Sequence, residues 1–155
     1  MTEPSVLDRA YHFILRTFVE TGRAPRSEAL AAALGLEAEA GRALLHALMA
    51  QDILSWLHPG TDEIAAFAPF HTQPTPYRIS VRGEQRWFAQ CGFETLAVSW
   101  LFPGATVTID APCRDCGEPL RLDMQDGRIL AADPPEMVAF VDVPFRQWHL
   151  RQAES

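Results

Sequence analysis

Apolar residues recur every three to four positions through the first third of the chain, which is the spacing of amphipathic helices. The first predicted helix covers residues 5–20, and Gly22 is expected to end it. Ser27 is a predicted N-cap for a second helix, which Gly35 interrupts. A third helix is predicted within residues 37–52. The apolar positions that carry the first and third helices are Val6, Leu7, Ala10, Tyr11, Ile14, Leu15 and Phe18, then Ala40, Leu44, Leu45, Leu48 and Met49.

Residues 53–70 have the pattern of a β-hairpin, with its turn at residues 58–62. Three helices followed by a hairpin are typical of a winged helix, which either reads DNA or serves as a small packing domain. The third helix carries Arg42 as its permanent cation, against three acidic residues in the same segment, Glu37, Glu39 and Asp52. Phosphate contacts need clustered cations. The pattern therefore favours a packing domain over residues 1–70, and DNA is not an expected partner.

The second half alternates between strand and helix patterns. Residues 71–76 contain two prolines and are predicted to be a linker, so a second domain is expected over residues 77–155. A helix is predicted that begins as early as Glu84 and ends before Pro103-Gly104. Strands are predicted at 77–81, 105–110 and 137–145, with a hairpin around Asp126-Gly127. The expected fold class is α+β: a winged-helix-like three-helix region, then a helix packed on a small, mostly antiparallel sheet.

Length, composition and charge limit the classes of protein to which the chain can belong. Its 155 residues suffice for one ordinary core or two small packed layers, and the net charge of −7 disfavours a nucleic-acid binder. No apolar run reaches the 18 residues of a membrane span, and the N-terminus lacks a signal-peptide pattern. We therefore expect a cytoplasmic location and no membrane partner. Three cysteines argue against a disulfide framework, because the number is odd. The remaining roles for these cysteines are metal binding, catalysis or burial in the core.

Two cysteine patterns carry candidate chemistry. Cys91 and Glu94 stand three residues apart and would share one face of a helix, as a soft nucleophile or metal ligand beside a proton donor. The alternative for Cys91 is a small buried residue. Cys113 and Cys116 form a CxxC turn, which is half of a tetrahedral zinc site. A closed zinc site there would have to recruit Cys91, His149 or Asp115.

The segment "WFAQCGFETLAVSWLFPGATVTIDAPCRDCGEPLRL" resembles the core of the organomercurial (alkylmercury) lyase family, in which a Cys is followed three positions later by an acidic residue. The upstream "GRAPRSEALAAALGLEAEAGRALLHAL" resembles the winged-helix-like N-terminal region of that family. "LAADPPEMVAFVDVP" is similar to its strand region after the core. The resemblance extends from about residue 22 to residue 145.

This resemblance implies cleavage of carbon–mercury bonds, with thiolates that capture the metal and a carboxyl that protonates the departing carbon. Cys91 matches the first catalytic cysteine. Glu94 matches the acidic position, where well-known members carry Asp. Cys113 matches a cysteine regarded as structural, and Cys116 has no clear counterpart. The family's second catalytic cysteine lies after the last matching strand, and no Cys follows Cys116. The resemblance therefore implies a member that is shortened at the C-terminus and lacks the second catalytic cysteine. The second thiolate is therefore expected from Cys113, Cys116 or a low-molecular-weight thiol.

The resemblance further implies that no cofactor is required and that Hg(II) is the bound product. Its implied partners are an organomercurial, low-molecular-weight thiols and mercuric reductase. The leading hypothesis is a lyase-like enzyme that uses Cys91 and Glu94. The alternatives are a soft-metal (Hg, Cu or Zn) binding protein that uses Cys91, Cys113 and Cys116, including zinc at Cys113/Cys116, a metal-responsive regulator, and a fold without retained chemistry.

Overall fold

The computed structural model describes residues 3–52, 54–140, 144 and 147, which divide into two compact units at the Phe67–Ala68 boundary. The first unit contains helices α1 (Val6–Thr21), α2 (Ser27–Leu34) and α3 (Ala38–Gln51), followed by strands β1 (Ser55–Leu57) and β2 (Ile64–Phe67), which pair antiparallel. The predicted order of three helices and a hairpin is confirmed.

Helix α1 has the C-terminal glycine cap and the buried apolar stripe that its sequence pattern predicts. Ser5 and Asp8 form a reciprocal capping box at its start, and Gly22 ends it in the left-handed conformation. Its apolar stripe buries Ala10, Ile14 and Phe18 completely. The N-terminal boundary of α2 was predicted wrongly, because Arg26 occupies the N-cap position, and Ser27 is already helical and buried.

Helices α2 and α3 approach each other closely. Gly41 of α3 lies against Ala31 of α2, so that a Cβ at Gly41 would overlap the Ala31 side chain. The same Cβ would stand 3.0 Å from the backbone oxygen of Ser27. The absence of a side chain at this position therefore sets the distance between the two helices.

The second unit is an antiparallel sheet with one helix against it. Its strand order is β3-β5-β4-β6-β7-β8, and every described pairing is antiparallel. Helix α4 contacts β5, β6 and β7. Together the two units confirm the α+β class. The elements are β3 (Phe70–His71), β4 (Arg78–Val81), β5 (Glu84–Ala89), α4 (Gly92–Leu101), β6 (Val107–Pro112), β7 (Pro119–Gln125) and β8 (Arg128–Asp133).

Two predicted elements of this unit, a helix and a strand, are wrong over part of their length. Residues 84–89, assigned to a helix, form strand β5, because Arg82 and Gly83 both adopt positive φ (51° and 85°) and turn the chain back onto β4. Two such residues in succession are typical of a tight hairpin turn. The strand predicted at 137–145 is also wrong over residues 137–140, which carry no strand. Of its remaining residues, 141–143 and 145 lie outside the described part of the chain.

The C-terminal end of α4 is tied to the β7–β8 hairpin. Asp126 and Gly127, the predicted turn dipeptide, have φ of 49° and 78°. The backbone amide of Gly127 donates to Ser99 Oγ of α4 (3.0 Å), and Asp126 Oδ1 accepts from the amide of Gly104 (2.8 Å). These bonds fix the far end of the helix whose N-terminus carries the candidate chemistry. Among the described helices, none is long and apolar enough to cross a membrane.

Candidate functional site around Cys91

Cys91 is the N-cap residue of α4, between the end of β5 and the first helical turn. Its backbone is extended (φ −146°, ψ 166°), and helical geometry begins at Gly92. The preceding residues are held by the loop before β4: the amide of Ala89 donates to the Tyr77 carbonyl (3.0 Å), and Thr75 Oγ1 donates to the Ala89 carbonyl (2.6 Å). The position of Cys91 is therefore set by the hydrogen bonds of Ala89 on its N-terminal side and by helix α4 on the other.

Three influences act on the Cys91 thiol, which is half-buried. Burial raises its pKa most strongly, and the carboxylate of Glu94 raises it further. The backbone amides of Glu94 and Phe93 lower the pKa, although the sulfur makes no N-cap hydrogen bond of regular geometry. The net shift is upward. Cys91 is consequently a thiol that holds its proton at neutral pH.

Glu94 lies beside Cys91 in the first turn of α4. The two occupy the N-cap and N3 positions, whose side chains approach each other at a helix start. Gln90 Nε2 donates a 2.6 Å hydrogen bond to Glu94 Oε1. Gln90 Oε1 is buried and has no hydrogen-bond partner among the described residues. Gln90 thus orients the carboxyl group from one side.

Sequence reasoning missed two residues at this site, Gln90 and Tyr77. Gln90 stands four residues before Glu94, which could have indicated a contact only if the helix start had been known. The Tyr77 ring packs on Gly92, where a Cβ would come within 3.3 Å of a ring carbon. No local pattern signals that contact, since it depends on the pairing of β4 with β5.

The CRDC turn (residues 113–116) connects β6 to β7. The amide of Cys113 donates to the Glu118 carbonyl (2.7 Å), and the amide of Gly117 donates to the Cys113 carbonyl (3.0 Å). The backbone amides of Cys116 and Asp115 face the Cys113 sulfur, as does the Cys116 thiol. These hydrogen bonds lower the pKa of Cys113. Cys113 is partly exposed and Cys116 is exposed, and neither forms a disulfide.

Cys91 and Cys113 follow strands β5 and β6 at the same end of the sheet. Strand β4 is antiparallel to both β5 and β6, so β5 and β6 run in the same direction. Arg78 of β4 pairs with Phe88 on one side and Asp110 on the other, and each of these stands three residues before a cysteine. Two strand spacings separate β5 from β6, which places the two backbones about 10 Å apart.

The cysteines do not gather into one metal-binding group in this conformation. Within residues 3–52 and 54–140, no three His, Cys, Asp or Glu side chains lie together as a metal site would require. The predicted metal set of Cys91, Cys113 and Cys116 is therefore divided between the start of α4 and the CRDC turn. Nor do the described residues complete a zinc site at Cys113/Cys116, and His149 lies outside them.

Comparison with known proteins decides the family. The family model described as MerB, alkylmercury lyase, matches residues 70–154, which is more than half of the chain. The chain belongs to the alkylmercury lyase family. The alkylmercury lyases of Bacillus cereus and Clostridium butyricum are each 34% identical to it over 80 residues, which is 52% of this chain and 36% of the relative. The match therefore spans about a third of the length of these curated relatives.

A solved structure supports the same fold. The crystal structure of the mercury-bound form of MerB2 superimposes with a TM-score of 0.56 at 21% identity, covering 84% of this chain and 68% of the other. The family resemblance predicted from residues 87–122 is thus confirmed, and the matched range contains Cys91, Glu94 and the CRDC turn.

Proposed function

We propose that this protein cleaves carbon–mercury bonds, with Cys91 as the thiol that captures mercury and Glu94 as the group that delivers a proton to the departing carbon. The observation that carries the proposal is that the Cys91 thiol and the Glu94 carboxyl group lie side by side at the N-cap and N3 positions of α4. The names of its relatives, all alkylmercury lyases, support the same chemistry.

The first step is capture of the organomercurial. Mercury is a soft metal and thiolate is the soft protein ligand, so the Cys91 sulfur bonds to mercury and loses its proton. Glu94, which already faces the sulfur, is placed to receive that proton. The bound ligand of the incoming organomercurial leaves as an anion. The site then holds a Cys91 sulfur–mercury–carbon unit beside a neutral carboxyl group.

The second step breaks the carbon–mercury bond. A second thiolate bonds to mercury while Glu94 transfers its proton to carbon, whose bonding electron pair would otherwise leave as an unstable carbanion. Hydrocarbon departs, Glu94 returns to the carboxylate, and Hg(II) remains between two sulfurs. Gln90 keeps the carboxyl group aimed during both transfers through its 2.6 Å hydrogen bond.

The second thiolate has two candidate sources. One is a low-molecular-weight thiol, and the other is the CRDC turn, which lies at the same end of the sheet as Cys91. No cofactor takes part in this scheme, and Hg(II) is its bound product. We propose a cytoplasmic setting in which mercuric reductase receives that ion, as the family resemblance implies. A soft-metal binding protein without turnover is the alternative, and the lowered pKa of Cys113 favours it.

We propose that the two units correspond to domains 1–70 and 77–155, and that the first is a winged-helix-like packing domain. The side-chain contacts of α3, the helix that would contact DNA in a winged helix, support this role. Arg42 of α3 pairs with Asp62 and Glu39, each at 3.4 Å, and His46 lies 2.6 Å from Asp62. A cation already paired with two carboxylates is poorly placed to contact phosphate, which argues against a DNA-binding regulator.

The test is release of benzene from phenylmercury in excess thiol, with the unaltered protein, Cys91→Ser and Glu94→Gln compared. The proposal predicts catalytic benzene formation that both substitutions abolish. A Cys113→Ser/Cys116→Ser variant separates the two thiol sources, since it keeps activity if the added thiol supplies the second ligand. Mercury uptake without benzene would favour the soft-metal binding alternative.

A further inference from the structure

We infer that the CRDC turn is a second soft-metal site of the protein, separate from Cys91, which holds a two-coordinate thiophilic ion such as Hg(II) or Cu(I) between the sulfurs of Cys113 and Cys116. Four observations support this site: the backbone of the turn, the adjacency of its sulfurs, the donor set available, and the contrast with Cys91.

The backbone of the turn is already shaped to hold a thiolate. Two amide groups, from Cys116 and Asp115, face the Cys113 sulfur. The hydrogen bond from the Cys113 amide to the Glu118 carbonyl closes the hairpin. Gly117 takes a positive φ of 78°, which lets the chain leave the turn. Successive amides directed at one point form a concave site for an anion. Because these backbone hydrogen bonds fix the shape of the turn, little ordering is needed on binding.

The two sulfurs of the turn are neighbours. The Cys116 thiol hydrogen-bonds to the Cys113 sulfur, so one ion can contact both after a small movement of exposed side chains. Cys116 is exposed and Cys113 is partly exposed, which leaves the pair open to an incoming ion. Once one thiolate of the turn has bound the ion, the other binds it intramolecularly. The pair therefore retains the ion more strongly than any single thiol.

The donor set selects the ion. Structural zinc takes four ligands, whereas soft ions such as Cu(I) are selected by thiolates themselves. The described residues place two thiolates at the turn and no third His, Cys, Asp or Glu in a metal-binding group with them. Two thiolates therefore fit an ion that a pair of soft ligands satisfies, whereas zinc at Cys113/Cys116, which stays a prediction, would need further ligands.

The turn differs from Cys91 in the properties that govern metal exchange. Cys91 is half-buried beside a carboxylate, whereas Cys113 faces amide groups at the surface. Since Cys91 does not join the turn cysteines in one metal-binding group among the described residues, Cys91 and the turn are two neighbouring thiol sites at the same end of the sheet. A role for the turn as acceptor of the ion released at Cys91 rests on the proposed function, but capture of metal by the turn does not.

The experiment uses the full chain with Cys91→Ser, in which Cys113 and Cys116 are the remaining thiols. The reduced protein is mixed with Hg(II) in a large excess of glutathione and desalted, and bound mercury per chain is measured. We expect one ion per chain. Adding Cys116→Ser, or separately Cys113→Ser, should lower the apparent affinity by about 10²–10⁴-fold, since the second thiolate is no longer tethered. Arg114→Lys is the matched control and should bind like Cys91→Ser.

Circular dichroism establishes that each variant is folded before its mercury content is compared. The inference is overturned if Cys91→Ser retains no mercury against glutathione, or if loss of Cys116 leaves retention unchanged. Benzene release by the unaltered protein is measured separately. Failure of that reaction with mercury still held by Cys91→Ser would reject the lyase proposal and leave this site intact.

Discussion

Replacement of Glu94 by glutamine should make the Cys91 thiol more reactive and strongly reduce turnover. The amide keeps the shape of the side chain and can still accept the hydrogen bond from Gln90, but it carries neither charge nor acidic proton. Loss of the charge lowers the pKa of Cys91, although burial, the largest cause of its raised pKa, remains. Loss of the general acid should reduce turnover about 10²–10⁴-fold. That reduction corresponds to about 3–5 kcal/mol in the activation barrier.

The two effects are measured in one background. Cys113→Ser/Cys116→Ser leaves Cys91 as the remaining thiol, so alkylation by iodoacetamide at neutral pH reports its thiolate fraction directly. Glu94→Gln should alkylate faster than the parent and release benzene far more slowly. Glu136→Gln removes a charge from an exposed position and should change neither rate. Slower alkylation in Glu94→Gln, or benzene release within tenfold of the parent, would refute the assignment of Glu94.

Three further predictions test other parts of the structure. Gln90→Met should reduce turnover about 10–100-fold with little loss of stability, as measured by benzene release and thermal melting, because only the orientation of the acid is disturbed. The pH at which alkylation reaches half its maximal rate should lie below the ordinary cysteine range for Cys113 and above it for Cys91, as mass spectrometry of each peptide across a pH series will show. Gly41→Ala should cost about 1–3 kcal/mol in urea unfolding, since its Cβ would overlap Ala31, and an equal or greater stability than the parent would contradict the close packing of α2 and α3.

Periodicity and turn residues predicted much of the fold because they are local. The three helices of the first unit follow from their apolar stripes, and Gly22 marks the end of α1 as expected. The Asp126-Gly127 turn follows from the preference of that dipeptide for positive φ. Strand β5 was missed since Trp87 and Phe88 fit a helical stripe as well as a strand. Its pairing with β4, which no local signal encodes, decided the outcome.

The same error affected the site. A helix that began at Glu84 would have placed Cys91 in its interior, whereas the structure makes it the N-cap of α4. The neighbourhood of Cys91 and Glu94 was nevertheless predictable, since residues three apart approach each other both within a helix and at its start. Tyr77 could not be predicted, because its contact with Gly92 is made between segments that only the sheet brings together.

If Cys91 and Glu94 break a carbon–mercury bond by protonation of carbon, the transferred hydrogen can be followed in heavy water. Phenylmercury is given to the protein in deuterated buffer with excess thiol, and the benzene is analysed by mass spectrometry. We expect benzene with one deuterium, formed by the unaltered protein and lost in Cys91→Ser and in Glu94→Gln. Benzene formed equally by all three proteins, or none above the protein-free rate, would contradict it.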